Sequence, residues 1–68
     1  MKEGNEMEHM VKVVDTFTGI TIAYLDWDAF ERSESTMAIV ALKVGQLYGC
    51  EEVEVCYPNG NFEAVRIK

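Results

Sequence analysis

The side chains able to do catalytic chemistry are few in this chain, and none has the neighbours that catalysis needs. One His and two Cys occur in 68 residues. His9 lies in an acidic segment without hydrophobic periodicity, where nothing holds it within hydrogen-bond reach of a nucleophile. Cys50 and Cys56 have no His nearby in the sequence, and neither is placed at a helix N-terminus that would stabilise a thiolate. We therefore expect a protein that is not an enzyme.

Metal and cofactor sites are not indicated either. A structural zinc site takes four Cys or His ligands, and the chain has only three such side chains. Calcium-binding loops arrange carboxylates around a Gly, whereas residues 26–34 contain no Gly. No Gly-rich phosphate loop occurs. The sequence predicts no cofactor and no bound metal.

Acidic residues dominate the charge of the chain. Twelve Asp or Glu stand against six scattered Lys or Arg, a net charge of −6. Direct binding to nucleic acid is disfavoured, because phosphate contacts need clustered cations. Ten of the acids form three groups: Glu3, Glu6 and Glu8; Asp26, Asp28, Glu31 and Glu34; and Glu51, Glu52 and Glu54.

Two interpretations of these acids remain open. They are ordinary solvated faces that keep a small protein soluble, or they line up as a stripe in which each carboxylate replaces a phosphate of DNA. We expect the second group at the N-terminus of a helix and the third just past its C-terminus. Trp27, set between two acids, is either an anchor for a partner or a core residue.

The elements that carry these residues are predicted as β-β-α-β-β. Residues 10–25 alternate as a hairpin around a turn at residues 15–19. A capping-box pattern begins at Asp28, with a second helix start at Ser33 or Ser35. The apolar helix positions are Met37, Val40, Ala41, Val44, Leu47 and Tyr48. Gly45 indicates the close approach of a neighbouring backbone, and Gly49 ends the helix. A second hairpin turns at residues 58–61 through Asn-Gly.

This order predicts an α+β fold, with one amphipathic helix packed on a four-stranded, mainly antiparallel sheet. The strand order stays open, and a β-grasp arrangement is one alternative. On the last two strands, Val53, Val55, Val65 and Ile67 are expected to face the helix. The opposite face is then mixed, and is either solvated or a dimer interface. Its predicted residues are Val14, Ala23, Leu25, Glu52, Glu54, Cys56, Ala64 and Arg66.

Residues 10–68 are expected to form one domain after a disordered acidic leader at residues 1–9. The acidic N-terminus is unlike a secretory signal, and no apolar run reaches the ~18 residues that span a membrane. Two cysteines on one short strand region are too few for a disulfide framework and indicate reduced thiols in a cytoplasmic protein. A chain this short needs added stability, so we expect a homodimer.

In size, acidity, reduced cysteines and absence of catalytic groups, the chain resembles small phage-encoded host-takeover proteins. Several of those are DNA mimics that block nucleoid-associated HU-type proteins, uracil-DNA glycosylase, restriction enzymes or RNA polymerase. The resemblance implies an inhibitor that binds a basic DNA-binding host protein, although Lys12, Lys43 and Arg66 would interrupt a continuous stripe. The site residues would be Asp26, Trp27, Asp28, Glu31, Glu34, Glu51, Glu52 and Glu54. The alternative is a protein-interaction module that binds through a sheet edge or the mixed sheet face.

Overall fold

One α-helix covers one face of a four-stranded antiparallel sheet in the computed structural model, which describes residues 9–68. The elements are β1 (Met10–Asp15), β2 (Thr21–Asp26), α1 (Glu34–Tyr48), β3 (Glu52–Cys56) and β4 (Phe62–Arg66). The strand order is β2-β1-β3-β4, and every neighbouring pair is antiparallel. The predicted α+β fold is confirmed. The β-grasp alternative is wrong, because β1 pairs with β3 and β4 lies at an edge.

The chain described by the structure is tied into the fold from His9 onwards. The backbone N–H of Trp27 donates to the carbonyl oxygen of His9 at 2.9 Å, which extends the β1–β2 pairing by one residue pair. His9 was expected in the disordered leader, and for this residue the expectation is wrong. The rest of the predicted leader lies outside the described residues.

Both hairpins turn where the sequence predicts. In the first, the Asp15 carboxylate accepts the Phe17 N–H at 2.9 Å, and Gly19 has a φ of 78°. In the second, the Asn59 side chain accepts the Asn61 N–H at 2.9 Å, and Gly60 has a φ of 95°. Short polar side chains and positive-φ glycines stabilise such turns locally.

A register shift in the first hairpin changes which residues of β2 face the helix. Val13 pairs with Ala23, but Val14 pairs with Thr21, so Ile22 is an extra residue on β2. An extra residue breaks the two-residue alternation of side chains. Ala23 and Leu25 therefore pack against the core, and their predicted place on the opposite face is wrong. Tyr24 lies on that face instead.

The core lies between α1 and the two central strands. Four valines of β1 and β3 are fully buried together with Met37 and Ala41. Trp27, Cys50 and Tyr57 complete the buried cluster. Val65 and Ile67 pack against this cluster from the β4 side, so the predicted helix-facing residues are confirmed. The four valines are Val11, Val13, Val53 and Val55.

The helix starts at the second of the two predicted positions. Ser33 is the N-cap of α1, and its hydroxyl accepts the Thr36 N–H at 3.2 Å. The capping-box start at Asp28 yields only a short 3-10 helix, Asp28–Phe30. It ends because Glu31 and Arg32 adopt positive φ values of 58° and 56°, a conformation that stops a helix.

The apolar face of α1 is only partly used by the sheet. Met37, Ala41 and Gly45 are its buried residues. Leu47 and Tyr48 were expected on this face, but both are exposed. They belong to the last turn of the helix, beyond Gly45, which packs against the sheet. The apolar positions of the helix therefore extend past the sheet surface that could bury them. Gly49 then ends the helix in the left-handed conformation with a φ of 72°.

Gly45 allows the close approach between α1 and the end of the chain. A Cβ atom at this position would lie 2.6 Å from Cδ1 of Ile67 and 3.3 Å from Cγ1 of Val53. The close neighbours are side chains, whereas the sequence indicated a backbone. Gly at a helix interior position lowers stability by about 1 kcal/mol relative to Ala. Here the absence of a Cβ atom leaves room for the Ile67 side chain.

We predict that Gly45→Ala destabilises the protein by about 1 kcal/mol, because overpacking costs about 1–3 kcal/mol and outweighs the gain in helix propensity. Urea unfolding followed by circular dichroism measures the effect. Combining Gly45→Ala with Ile67→Val, which removes the nearest atom, should cost less than the sum of the two single changes. Strictly additive free energies would contradict the packing described for this contact.

Candidate functional site

The second acidic group is built into the segment between β2 and α1. One oxygen of Asp26 accepts the backbone N–H groups of Asp28 at 3.0 Å and Ala29 at 3.3 Å. Asp28 accepts from Nε of Arg32 at 2.7 Å and lies 3.2 Å from Nδ1 of His9. The Arg32 guanidinium is the main cause that lowers the pKa of Asp28 below its usual value. Both carboxylates shape the chain locally, and the charge of Asp28 is partly neutralised by Arg32.

Glu34 and Glu31 behave differently from each other. The Glu34 carboxylate accepts from the side-chain amides of Asn59 at 3.3 Å and Asn61 at 3.1 Å, and so joins the start of α1 to the β3–β4 turn. Glu31 is exposed. Within residues 9–68 no hydrogen bond or ion pair involves its side chain. Of this group, Glu31 is the acid best placed to meet a partner.

Trp27 is a core residue. It is only 6% exposed and packs edge to face against Tyr57, with the ring centroids 5.1 Å apart. The Tyr57 hydroxyl donates to the backbone carbonyl of Glu34 at 3.1 Å. Of the two interpretations of Trp27, the interface anchor is therefore wrong. Its aromatic ring closes the end of the sheet beneath the helix N-terminus.

The third acidic group starts where α1 ends. The backbone carbonyl and the carboxylate of Glu52 both accept from the Thr16 hydroxyl at 3.2 Å. Glu54 points from the middle of the uncovered sheet face, where its strand neighbours are Val14 and Ala64. Glu51 is exposed, and its backbone carbonyl accepts the Ile67 N–H at 2.9 Å.

The second and third groups lie at opposite ends of the molecule, as expected. The 15 residues of α1 place them about 22 Å apart along the helix axis, given 1.5 Å of rise per residue. Each region also contains a cation, because Arg32 bonds Asp28 and Arg66 is the strand partner of Glu52. One copy of residues 9–68 therefore presents two separate acidic regions. The first group lies outside the described residues.

Sequence reasoning missed four exposed apolar side chains that two neighbouring segments carry at one end of the molecule, which we name the apolar end. Phe17 is 83% exposed and Leu47 is 85% exposed. Two contacts bring the β1–β2 turn to the C-terminus of α1: Cys50 Sγ donates to Asp15 at 3.5 Å, and Thr16 bonds Glu52. A Phe at the tip of a polar turn was the available sequence signal. The apolar end consists of Phe17, Ile20, Leu47 and Tyr48.

Carboxylates and a protected thiol adjoin the apolar end. Asp15, Glu51 and Glu52 belong to the segments that carry it. Cys50 is buried, and burial together with the Asp15 carboxylate raises the pKa of its thiol. A raised pKa keeps the thiol protonated and unreactive. Both cysteines are free, and Cys50 contributes to packing.

The uncovered face of the sheet carries a row of mixed polar and apolar side chains. One row across the four strands is formed by Tyr24, Lys12, Cys56 and Phe62. A depression of about 250 Å³ adjoins Lys12 and Tyr24, and a second of about 460 Å³ lies beside His9 and Trp27. Both are open to solvent and do not enclose a ligand as drug-sized pockets do.

The comparisons with known proteins add no relative to this description. No family model, no curated protein and no solved structure matches the chain. Among residues 9–68, no three His, Cys, Asp or Glu side chains are grouped so that they could hold a metal ion. In the same part of the chain, no helix is long and apolar enough to cross a membrane.

We predict that the stability of the fold falls as the pH rises from about 10 to about 12 because of Tyr57. Burial raises the pKa of Tyr57 to about 12, with Glu63 and Glu34 adding to the effect, whereas an unfolded Tyr titrates near about 10. The stabilisation is complete below the unfolded pKa and is lost towards the folded one.

Urea unfolding of the wild type and of Tyr57→Phe between pH 8 and pH 11, a range around the usual Tyr pKa of about 10, isolates this effect. Other titrating groups are common to both proteins and cancel. The wild type should lose stability relative to the variant above pH ~10. Parallel curves over the whole range would contradict the prediction.

Proposed function

We propose that the protein is a non-enzymatic interaction domain that binds a partner protein through the apolar end, with nearby acids favouring a basic partner. The observation that carries the proposal is the exposure of four large apolar side chains at one end of a small domain. Two of them, Phe17 and Leu47, are more than four-fifths exposed. Exposed apolar clusters rimmed by polar residues are typical of protein-binding surfaces.

The placement of these side chains supports binding rather than folding. Phe17 sits in the turn between two strands, where a polar residue would satisfy the geometry equally well. Leu47 and Tyr48 lie in the helix turn beyond the last buried helix position. A partner that covers them removes apolar surface from water, and aromatic side chains dominate the energy of many interfaces.

The charges around the apolar end favour a basic partner surface. Asp15, Glu51 and Glu52 lie in the same segments, and the whole chain carries a charge of −6. Rim charges mainly raise the association rate and choose between partners, while buried apolar contacts supply affinity. Binding should therefore weaken only moderately when salt screens these carboxylates.

Mimicry of DNA charge is the second candidate function. The carboxylates of Glu31, Glu51 and Glu54 favour it, because within residues 9–68 no side-chain hydrogen bond or ion pair occupies them. Each would replace a phosphate charge in the basic groove of a DNA-binding host protein, such as a nucleoid-associated HU-type protein. The regions they belong to are separated along α1, so a mimic would combine regions from more than one copy.

We predict that the double variant Phe17→Ser and Leu47→Ser loses a binding partner that the wild type captures from a bacterial lysate. Both side chains are exposed, so the variant should keep the unfolding free energy of the wild type. Ile39→Ser is the matched control, because Ile39 is also exposed on α1 but lies away from the apolar end. The proposal would be contradicted if the double variant still captured the partner, or if the control lost it equally.

We predict, for the mimicry candidate, that Glu31→Lys, Glu51→Lys and Glu54→Lys together abolish capture of a DNA-binding protein. That capture should also be reversed by salt and by competing duplex DNA, because exposed charges are screened within about 8 Å at physiological ionic strength. A partner that remains bound in high salt and in the charge-reversed variant rules out mimicry. The same result leaves binding by the apolar end standing.

A further inference from the structure

We propose that two copies of this chain pair through their β4 edges, antiparallel and two-fold symmetric about Ala64, to form one continuous eight-stranded sheet. This contact lies on a different surface from the apolar end and does not depend on the proposed function. Its basis is the direction of the backbone groups of β4, the absence of irregularity along that strand, and the side chains that the symmetry brings together.

The hydrogen bonds that flank the β3–β4 ladder fix which backbone groups of β4 face outward. The N–H of Tyr57 donates to Asn61 at 2.8 Å, and the N–H of Ile67 donates to Glu51 at 2.9 Å. Bonded pairs alternate along an antiparallel ladder, so Glu63 and Val65 bond to β3. The N–H and C=O groups that point away from the sheet belong to Phe62, Ala64 and Arg66.

The two edges of the sheet differ in their readiness to pair. β2 contains the register shift at Ile22, and Asp26 at its end is turned into the following segment. Bulges and inward-bonded ends protect an edge from pairing. β4 has regular register throughout and contains no Pro. Among residues 9–68 it is followed by no further strand in the sheet.

With the two-fold axis at Ala64, every outward N–H and C=O group of β4 forms a hydrogen bond. Ala64 then faces Ala64 of the second copy, and Phe62 faces Arg66 on both sides of the axis. Each of the three facing pairs exchanges two backbone hydrogen bonds. Beyond Arg66 the ladder ends, because the N–H of Lys68 points towards the Glu51 carbonyl at 3.3 Å.

The facing side chains are complementary in this register. Phe62 is 68% exposed, and a guanidinium above its ring forms a cation–π contact. In its own copy, Arg66 is the strand partner of Glu52, and its Nε–H donates to the Lys68 carbonyl at 2.9 Å. A register centred on Glu63 would place two carboxylates opposite each other, which destabilises a strand pair. The backbone and the charges therefore select the same register.

The helices leave room for the joined sheet. α1 packs on β3 more than on any other strand, and next most on β4, so the two helix axes would be two to three strand spacings apart, about 10–14 Å. Packed helices need about 8–10 Å between axes. The two helices can therefore lie side by side on one face without overlap.

Sedimentation equilibrium of the full chain from about 1 μM to about 1 mM, the range expected for a short interface, tests the pairing. The wild type should reach a dimer. Ala64→Pro removes an outward N–H at the axis without removing any bond to β3, and should raise the dimer Kd about 30-fold or more. Ala64→Thr keeps that N–H and should dimerise like the wild type.

A second pair of variants tests the register without altering the backbone. Phe62→Arg places like charges opposite Arg66 and should weaken the dimer about tenfold, whereas Phe62→Glu places an opposite charge there and should preserve it. A monomer over the whole range overturns the proposal. So does a dimer that is indifferent to Ala64→Pro, or one that Phe17→Ser and Leu47→Ser dissociate instead.

Discussion

The packing of α1 on the two central strands is the interaction on which the rest of this small molecule depends. Four valines of β1 and β3 meet Met37 and Ala41 with no exposed area, and Gly45 lets Ile67 come within contact distance. A sheet with one covered face needs such a helix to bury its apolar side chains. Because the covered core of residues 9–68 is limited to nine buried apolar residues, little other apolar surface in this part of the chain is buried.

That limited core explains both candidate surfaces. The last turn of α1 and the first hairpin turn extend past the packed region, so their apolar side chains remain in water. The sheet, likewise, ends at β4, whose outward backbone groups pair with no strand in residues 9–68. A partner at the apolar end and a second copy at β4 would each extend the burial that one copy achieves alone.

The acidic residues have different structural roles, although all of them are negatively charged. Asp26 and Asp28 organise the segment before α1, and Glu34 ties the helix start to the second hairpin turn. Glu31, Glu51 and Glu54 have no such local bonds within residues 9–68. In residues 9–68, the carboxylates of this second set are therefore not engaged in local side-chain bonds.

Local chemistry made much of the fold predictable from the sequence. The Asn-Gly and Asp-initiated turns, the Ser33 cap and Gly49 act through bonds between near neighbours, so the element order and the helix-facing valines followed from the pattern. The sequence failed where the outcome depended on distant partners. A single extra residue, Ile22, moved Ala23 and Leu25 to the core face. The two-residue alternation of the sequence does not show where such an extra residue occurs.

What the sequence by itself determined was the set of elements, the charge and the residues available for chemistry. Only the tertiary structure decided that β1 and β3 are central, because strand order depends on contacts between residues far apart in the chain. It also decided that Trp27 is buried against Tyr57, and that Leu47 and Tyr48 remain exposed. Helical periodicity specifies which side chains share a face, whereas the extent of the opposing sheet determines how many of them are buried.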